Sequence, residues 1–160
     1  MATQKLVPSA TDQTTGWTAT NGDTTHYTEI DEGVAAQTDT DYISTTTLDA
    51  VDRLQLTDTV ANTDTVSAVA VTVRGSLTDT ANNAVIEVKL FYTAGGETQV
   101  GTTKYISGTD VAGDPWFGDY AGTIGDTTGT DITFDTSGTP LTKAQADSLE
   151  LHFKFLAVKP

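Results

Sequence analysis

Between Val66 and Tyr92 the chain reads VSAVAVTVRGSLTDTANNAVIEVKLFY, two apolar runs joined by the polar segment TDTANN. Val69, Val71, Val73 and Leu77 share a parity in the first run, and Ile86, Val88, Leu90 and Tyr92 share one in the second. Successive side chains of a strand point to opposite faces, so a period of two sends one apolar row of each run toward a core. Thr78 to Asn83 holds an Asp and two Asn, which tolerate turn geometry. The stretch predicts a long β-hairpin near the centre of a sheet.

The flanking segments repeat the theme with weaker signals. Lys5-Leu6-Val7-Pro8 predicts a short first strand, with Pro8 confining it to an edge or an end. Trp17, His26, Tyr27, Ile30, Tyr42 and Ile43 stand as isolated anchors between polar turns, and Val51–Leu56 alternates as a strand. Gly95-Gly96 between two β-rich runs marks a hairpin turn leading into a strand over Thr98–Ile106. Tyr120–Ile124 and Ile132–Phe134 are further short strands. Thr142-Lys143-Ala144-Gln145 has the form of a capping box and predicts a two-turn helix from Lys143 to about Leu149. From Leu149 to Ala157, Leu151, Phe153 and Phe155 alternate with Glu150, His152 and Lys154, giving a last strand that closes the core sheet.

Nine or so short strands, one short helix and many Gly, Asn and Asp turns predict an all-β chain. The expected architecture is a single antiparallel β-sandwich over residues 1–160, jelly-roll-like in topology. Threonine fits it: 34 of the 160 residues are Thr, a β-branched residue that favours strands yet stays polar on wet faces. Nine acids lie between Asp12 and Asp52 against a single Lys5, so residues 1–40 are also expected to serve as an extended arm ordered by a partner.

Charge and composition bound the function. At −14 the chain repels a phosphate backbone and an anionic membrane surface, so neither nucleic acid nor membrane is an expected partner. The acid excess suits solubility and resistance to self-association. Without cysteine there is neither a disulfide framework nor a thiolate metal site. The opening MATQKLVPSATDQTTG lacks the apolar core of a signal peptide, and no segment approaches the ~20 apolar residues of a membrane span. Synthesis in a host cytoplasm is the expectation.

No motif carries chemistry. His26 and His152 lack Cys partners and the HExxH spacing of a zinc site. None of the seven Ser sits in a GxSxG elbow, and nothing selects two of the 22 acids as a glycosidase pair. Asp39-x-Asp41 and Asp126-x4-Asp131 offer oxygen ligands of the kind calcium takes, but the EF-hand pattern is absent and solvated turn acids are the reading. No catalytic residue, metal or cofactor is therefore expected. Trp17, Trp116, Phe117 and Tyr120 are the candidate partner contacts, as core, as anchors of a protein interface, or as a stacking platform for a glycan.

Two stretches together carry a resemblance. One is PSATDQTTGWTATNGDTTHYTEIDE followed by TDTDYIST, and the other is TSGTPLTKAQADSLELHFKF. They resemble small structural proteins of tailed bacteriophages, especially marine ones, over about a third of the chain. The resemblance implies a non-enzymatic β-sandwich component of the virion. Its expected form is a capsid decoration (cement) protein on the major capsid lattice, as a trimer or dimer, with a tail or fibre component and a carbohydrate-binding module as alternatives. It carries over no functional residue.

Overall fold

The computed structural model describes residues 6–22, 24–30, 42–57, 66, 68–72, 85–107, 131–136 and 138–156. Its largest element is an antiparallel sheet of five strands, numbered in chain order. These are β1 (Pro8–Thr15), β4 (Val51–Leu56), β6 (Val85–Tyr92), β7 (Thr98–Ser107) and β9 (Leu149–Leu156), arranged β1-β4-β9-β6-β7. Two ribbons accompany it: β2 (Thr18–Ala19) with β3 (Ile43–Ser44), and β5 (Ala68–Thr72) with β8 (Asp131–Asp135). A 3-10 turn covers His26–Glu29, and one short helix, α1, covers Lys143–Ala146. The class is antiparallel all-β with a short helix near the C-terminus.

β9 holds the middle of the sheet because LELHFKFL serves both faces. Leu149, Leu151 and Phe153 alternate with Glu150 and His152, and all five are buried. Register places Leu151 between Leu54 of β4 and Leu90 of β6, and Leu90 opposite Val100 of β7. One apolar row thus crosses four strands, and each of its members is 5% exposed or less. Burying each such side chain stabilises by roughly 1.5–3 kcal/mol, so the row alone rivals the net stability of a typical domain.

Above that row Phe134 of β8, fully buried, joins the same core, with its register partner Val69 of β5 packed against it. Leu141 enters through an isolated bridge to Val66. The β5–β8 ribbon lies near β7, and Phe134 and Val69 bring it to the core of the five-stranded sheet. Trp17, Tyr27 and Ile30 close the core from the N-terminal side.

The expected hairpin between the two apolar runs does not form. β5 pairs with β8, from Ala68 opposite Asp135 to Thr72 opposite Asp131, whereas β6 lies between β9 and β7. Alternation identifies a strand and its apolar face but not its neighbour. The neighbour of β6 is set instead by the tight turn at Gly95 (φ +82°) and Gly96 (φ +117°), a backbone geometry suited to glycine. The turn expected at Thr78–Asn83 lies outside the described residues, as does the strand at Tyr120–Ile124.

Two boundaries also move. β1 begins at Pro8 rather than ending there, and runs through the polar PSATDQTT at the sheet's edge. An edge strand pairs on one side only, so it needs little apolar content, and two register shifts against β4 break its regularity. α1 stops after four residues because Leu149 already belongs to the sheet. Ser148 fixes that exchange: its hydroxyl accepts from the N–H of Ala94 at 3.0 Å and its carbonyl accepts from the N–H of Thr93 at 3.1 Å.

Candidate functional site

The alternation that buries Leu54 also buries Asp52, two residues earlier on the same face of β4. Asp52 is 0% exposed, and its Oδ2 lies 2.8 Å from Nδ1 of His26, which is 1% exposed. Burial pushes the Asp52 carboxyl up from its ordinary value, against the pull of the His26 bond and charge. Thr14, the register partner of Asp52 on β1, pulls the same way more weakly. Yet Thr14 Oγ1 and Asp52 Oδ1 do not reach hydrogen-bond geometry. A His–carboxylate pair is the orienting half of many acyl-transfer sites. Here it is sealed, so it works as a tie between the 3-10 turn and the sheet.

A second tie lies at the other end of that turn. Glu29, 5% exposed, accepts from the Thr20 hydroxyl at 2.8 Å and from the Asn21 amide. Thr20 Oγ1 in turn accepts from the Tyr42 N–H at 2.9 Å, beside the β2–β3 ribbon. The short polar segments between the N-terminal anchors are thus held by acids that the fold buries against side-chain partners.

The opposite face of the sheet is polar. Arg53, His152 and Lys89 form one row across β4, β9 and β6, and Val51, Lys154 and Glu87 form the next. Arg53 pairs with Glu97 at 3.1 Å, Lys89 with Glu87 at 2.7 Å, and Lys154 with Asp49 at 2.7 Å. His152 lies 3.2 Å from Glu150 and stacks on Phe91, ring centroids 4.4 Å apart. Burial lowers the His152 pKa and the Arg53 charge adds to that, while the Glu150 hydrogen bond opposes it.

Where β6 passes into β7, the sheet and the segment leading into α1 enclose an open cleft of about 330 Å³. Residues Tyr92, Gln99 and Thr102 line it from the strands, Thr139 and Leu141 from the facing segment, and Gln145 from α1 itself. Among the described residues none of its lining side chains is acidic or basic.

Of the four candidate contacts, Trp17 packs against the core with its Nε1 buried and, among the described residues, without a hydrogen-bond partner. Trp116, Phe117 and Tyr120 lie outside the described residues, as do Asp39, Asp41 and Asp126. Among the described residues no three His, Asp or Glu side chains gather to hold a metal ion. Sequence reasoning passed over the His26–Asp52 pair and the cleft. The first had a legible signal, a carboxylate on the apolar parity of VDRLQL, which burial obliges to find a partner. The second had none, because the cleft unites segments some forty residues apart. Compared with protein-family models, curated proteins and solved structures, the chain finds no match in any of the three.

Proposed function

We propose that this chain is a non-enzymatic structural protein of a bacteriophage virion, a decoration protein bound to the outer surface of the major capsid lattice. The observation that carries the reading is the use made of buried polar groups. His26–Asp52, Glu29 with Thr20 and Asn21, and Glu150–His152 are bonded to one another. They fasten the N-terminal segments and the central strand, and leave the surface to threonine and to an excess of acid. A subunit that must stay soluble at high concentration and then rigidly hold a lattice position benefits from both properties. The resemblance of the two ends to phage structural proteins agrees with it.

Cryo-electron microscopy of the particles in which the protein occurs tests the proposal. Density for the sandwich on the capsid exterior, at a copy number set by lattice symmetry and grouped in threes or twos, is the expected result. Density confined to the tail reassigns the chain to a tail or fibre component. Purified particles that lack it overturn the virion role.

A further inference from the structure

Asn21 and Gly22 form the chain's one Asn-Gly dipeptide, and both residues are exposed. They end a turn that starts at Ala19, closed by the Gly22 N–H, which donates to the Ala19 carbonyl at 3.0 Å. Gly22 sits at φ +77°, and among the described residues nothing lies within 4 Å of where a Cβ would stand. Its backbone nitrogen is thus shielded by no side chain of its own. The Asn21 side chain reaches the other way. Its Nδ2 donates to Oε1 of Glu29 at 2.5 Å, and Glu29 is 5% exposed.

Asparagine is thermolabile because the next residue's nitrogen can attack its side-chain carbonyl carbon. At this dipeptide the Gly22 nitrogen gives up its proton and bonds to Asn21 Cγ, while Nδ2 leaves with a proton as ammonia. Water then opens the resulting cyclic imide at either carbonyl. Cleavage of the new Cγ–N bond leaves aspartate, and cleavage of the original peptide bond leaves isoaspartate. One water is consumed and one ammonia released, with no change of oxidation state. Asn62, Asn82 and Asn83 are followed by Thr, Asn and Ala, whose side chains obstruct the same attack.

Two bonds must open before Gly22 can react: its own to Ala19, and that of the Asn21 amide to Glu29. Both belong to an exposed turn, the kind of segment that opens at low cost. The product cannot close again as the parent does. A carboxylate replaces the donor beside a buried carboxylate, and two such groups at hydrogen-bond distance cannot both stay ionised.

We infer that Asn21-Gly22 is a self-modifying latch: deamidation at Asn21 irreversibly releases the turn after β2 from Glu29. The inference does not rest on the virion role.

The test incubates the full-length protein in warm, mildly alkaline buffer made with heavy-oxygen water, and follows it by peptide mapping and mass spectrometry. Asn21 is expected to convert at least several-fold faster than Asn62, Asn82 or Asn83, giving aspartate and isoaspartate that carry the heavy oxygen. Gly22→Ala, whose new methyl meets open space, should slow that conversion about tenfold. The consequence is read separately, on urea midpoints. Asn21→Asp, which installs one product directly, should lower the midpoint. Adding Glu29→Gln should restore most of it, because the carboxylate–amide pair returns with its polarity reversed. The inference is overturned if Asn21 reacts no faster than the other three asparagines, or if a folded Gly22→Ala variant deamidates as fast as the parent. It is equally overturned if Asn21→Asp unfolds at the parent's midpoint, or if Glu29→Gln fails to rescue it.

Discussion

Replacing His26 with leucine removes the hydrogen-bond partner of Asp52 Oδ2, on a carboxyl that has no exposure at all. Near neutral pH the variant must keep an unpaired carboxylate in the core, protonate it, or open the 3-10 turn to water. Breaking one side of such a pair costs about 3–5 kcal/mol. For a chain of this length that lowers the thermal midpoint by roughly 10 °C, taking 2–4 °C per kcal/mol. Asp52→Leu is milder, about 1–3 kcal/mol, because it removes the carboxyl and leaves one ring nitrogen without its partner. The double variant puts two leucines where the pair stood and should recover most of the loss. The His26→Leu penalty also shrinks on acidification. The raised Asp52 pKa means that its favourable contribution is complete below the ordinary value of 3.8 and is lost as pH climbs through the folded value. Urea denaturation of the parent, both single variants and the double variant, followed by circular dichroism at two pH values, measures the cycle. Single losses that simply add in the double variant, or a His26→Leu loss below about 1 kcal/mol, would refute the tie.

Three further outcomes are expected. The lowered His152 pKa makes its contribution complete above 6.5 and lost as pH falls through the folded value, so His152→Gln should flatten stability against pH on the acid side of 6.5. Thr142→Ala removes a complete capping box and should cost about 1 kcal/mol in a urea titration. Gly16→Ala adds a Cβ 3.1 Å from that of Ala50 at φ +79°, whereas Gly22→Ala at φ +77° meets open space, so thermal melts should show the larger loss at Gly16.

Strand identity was legible where period and turn chemistry agree. Val51–Leu56 matches its expected bounds, the Gly95-Gly96 turn joins β6 to β7, and Leu149–Leu156 closes the core sheet. Pairing was not legible where it depends on distant partners. β5 meets β8 across some sixty residues, and no local signal distinguishes that from a hairpin with β6. PSATDQTT failed for a different reason: at an edge, hydrogen bonds alone recruit a strand that hydropathy does not mark. The candidate site divides likewise. Asp52 announced itself by lying on an apolar row, while its partner His26 and the cleft between the β6–β7 turn and the start of α1 follow only from the assembled sheet.

Salt separates the two electrostatic levels of the molecule. The three ion pairs of the polar sheet face involve partly exposed side chains, and screening weakens pairs of that kind. The net charge of −14 acts in the opposite direction, since compaction crowds like charges and salt relieves the repulsion. Spreading that charge over a folded sphere and over an expanded coil of the same chain, with Debye lengths of about 10 Å at 0.1 M and 3 Å at 1 M, decides between them. The repulsion relieved across that range is on the order of 3 kcal/mol, more than a few screened surface pairs supply. Stability should therefore rise as sodium chloride is added, read as a rising urea midpoint at constant slope. A midpoint that falls with salt would mean that the paired face, and not the acid excess, governs the electrostatics of this fold.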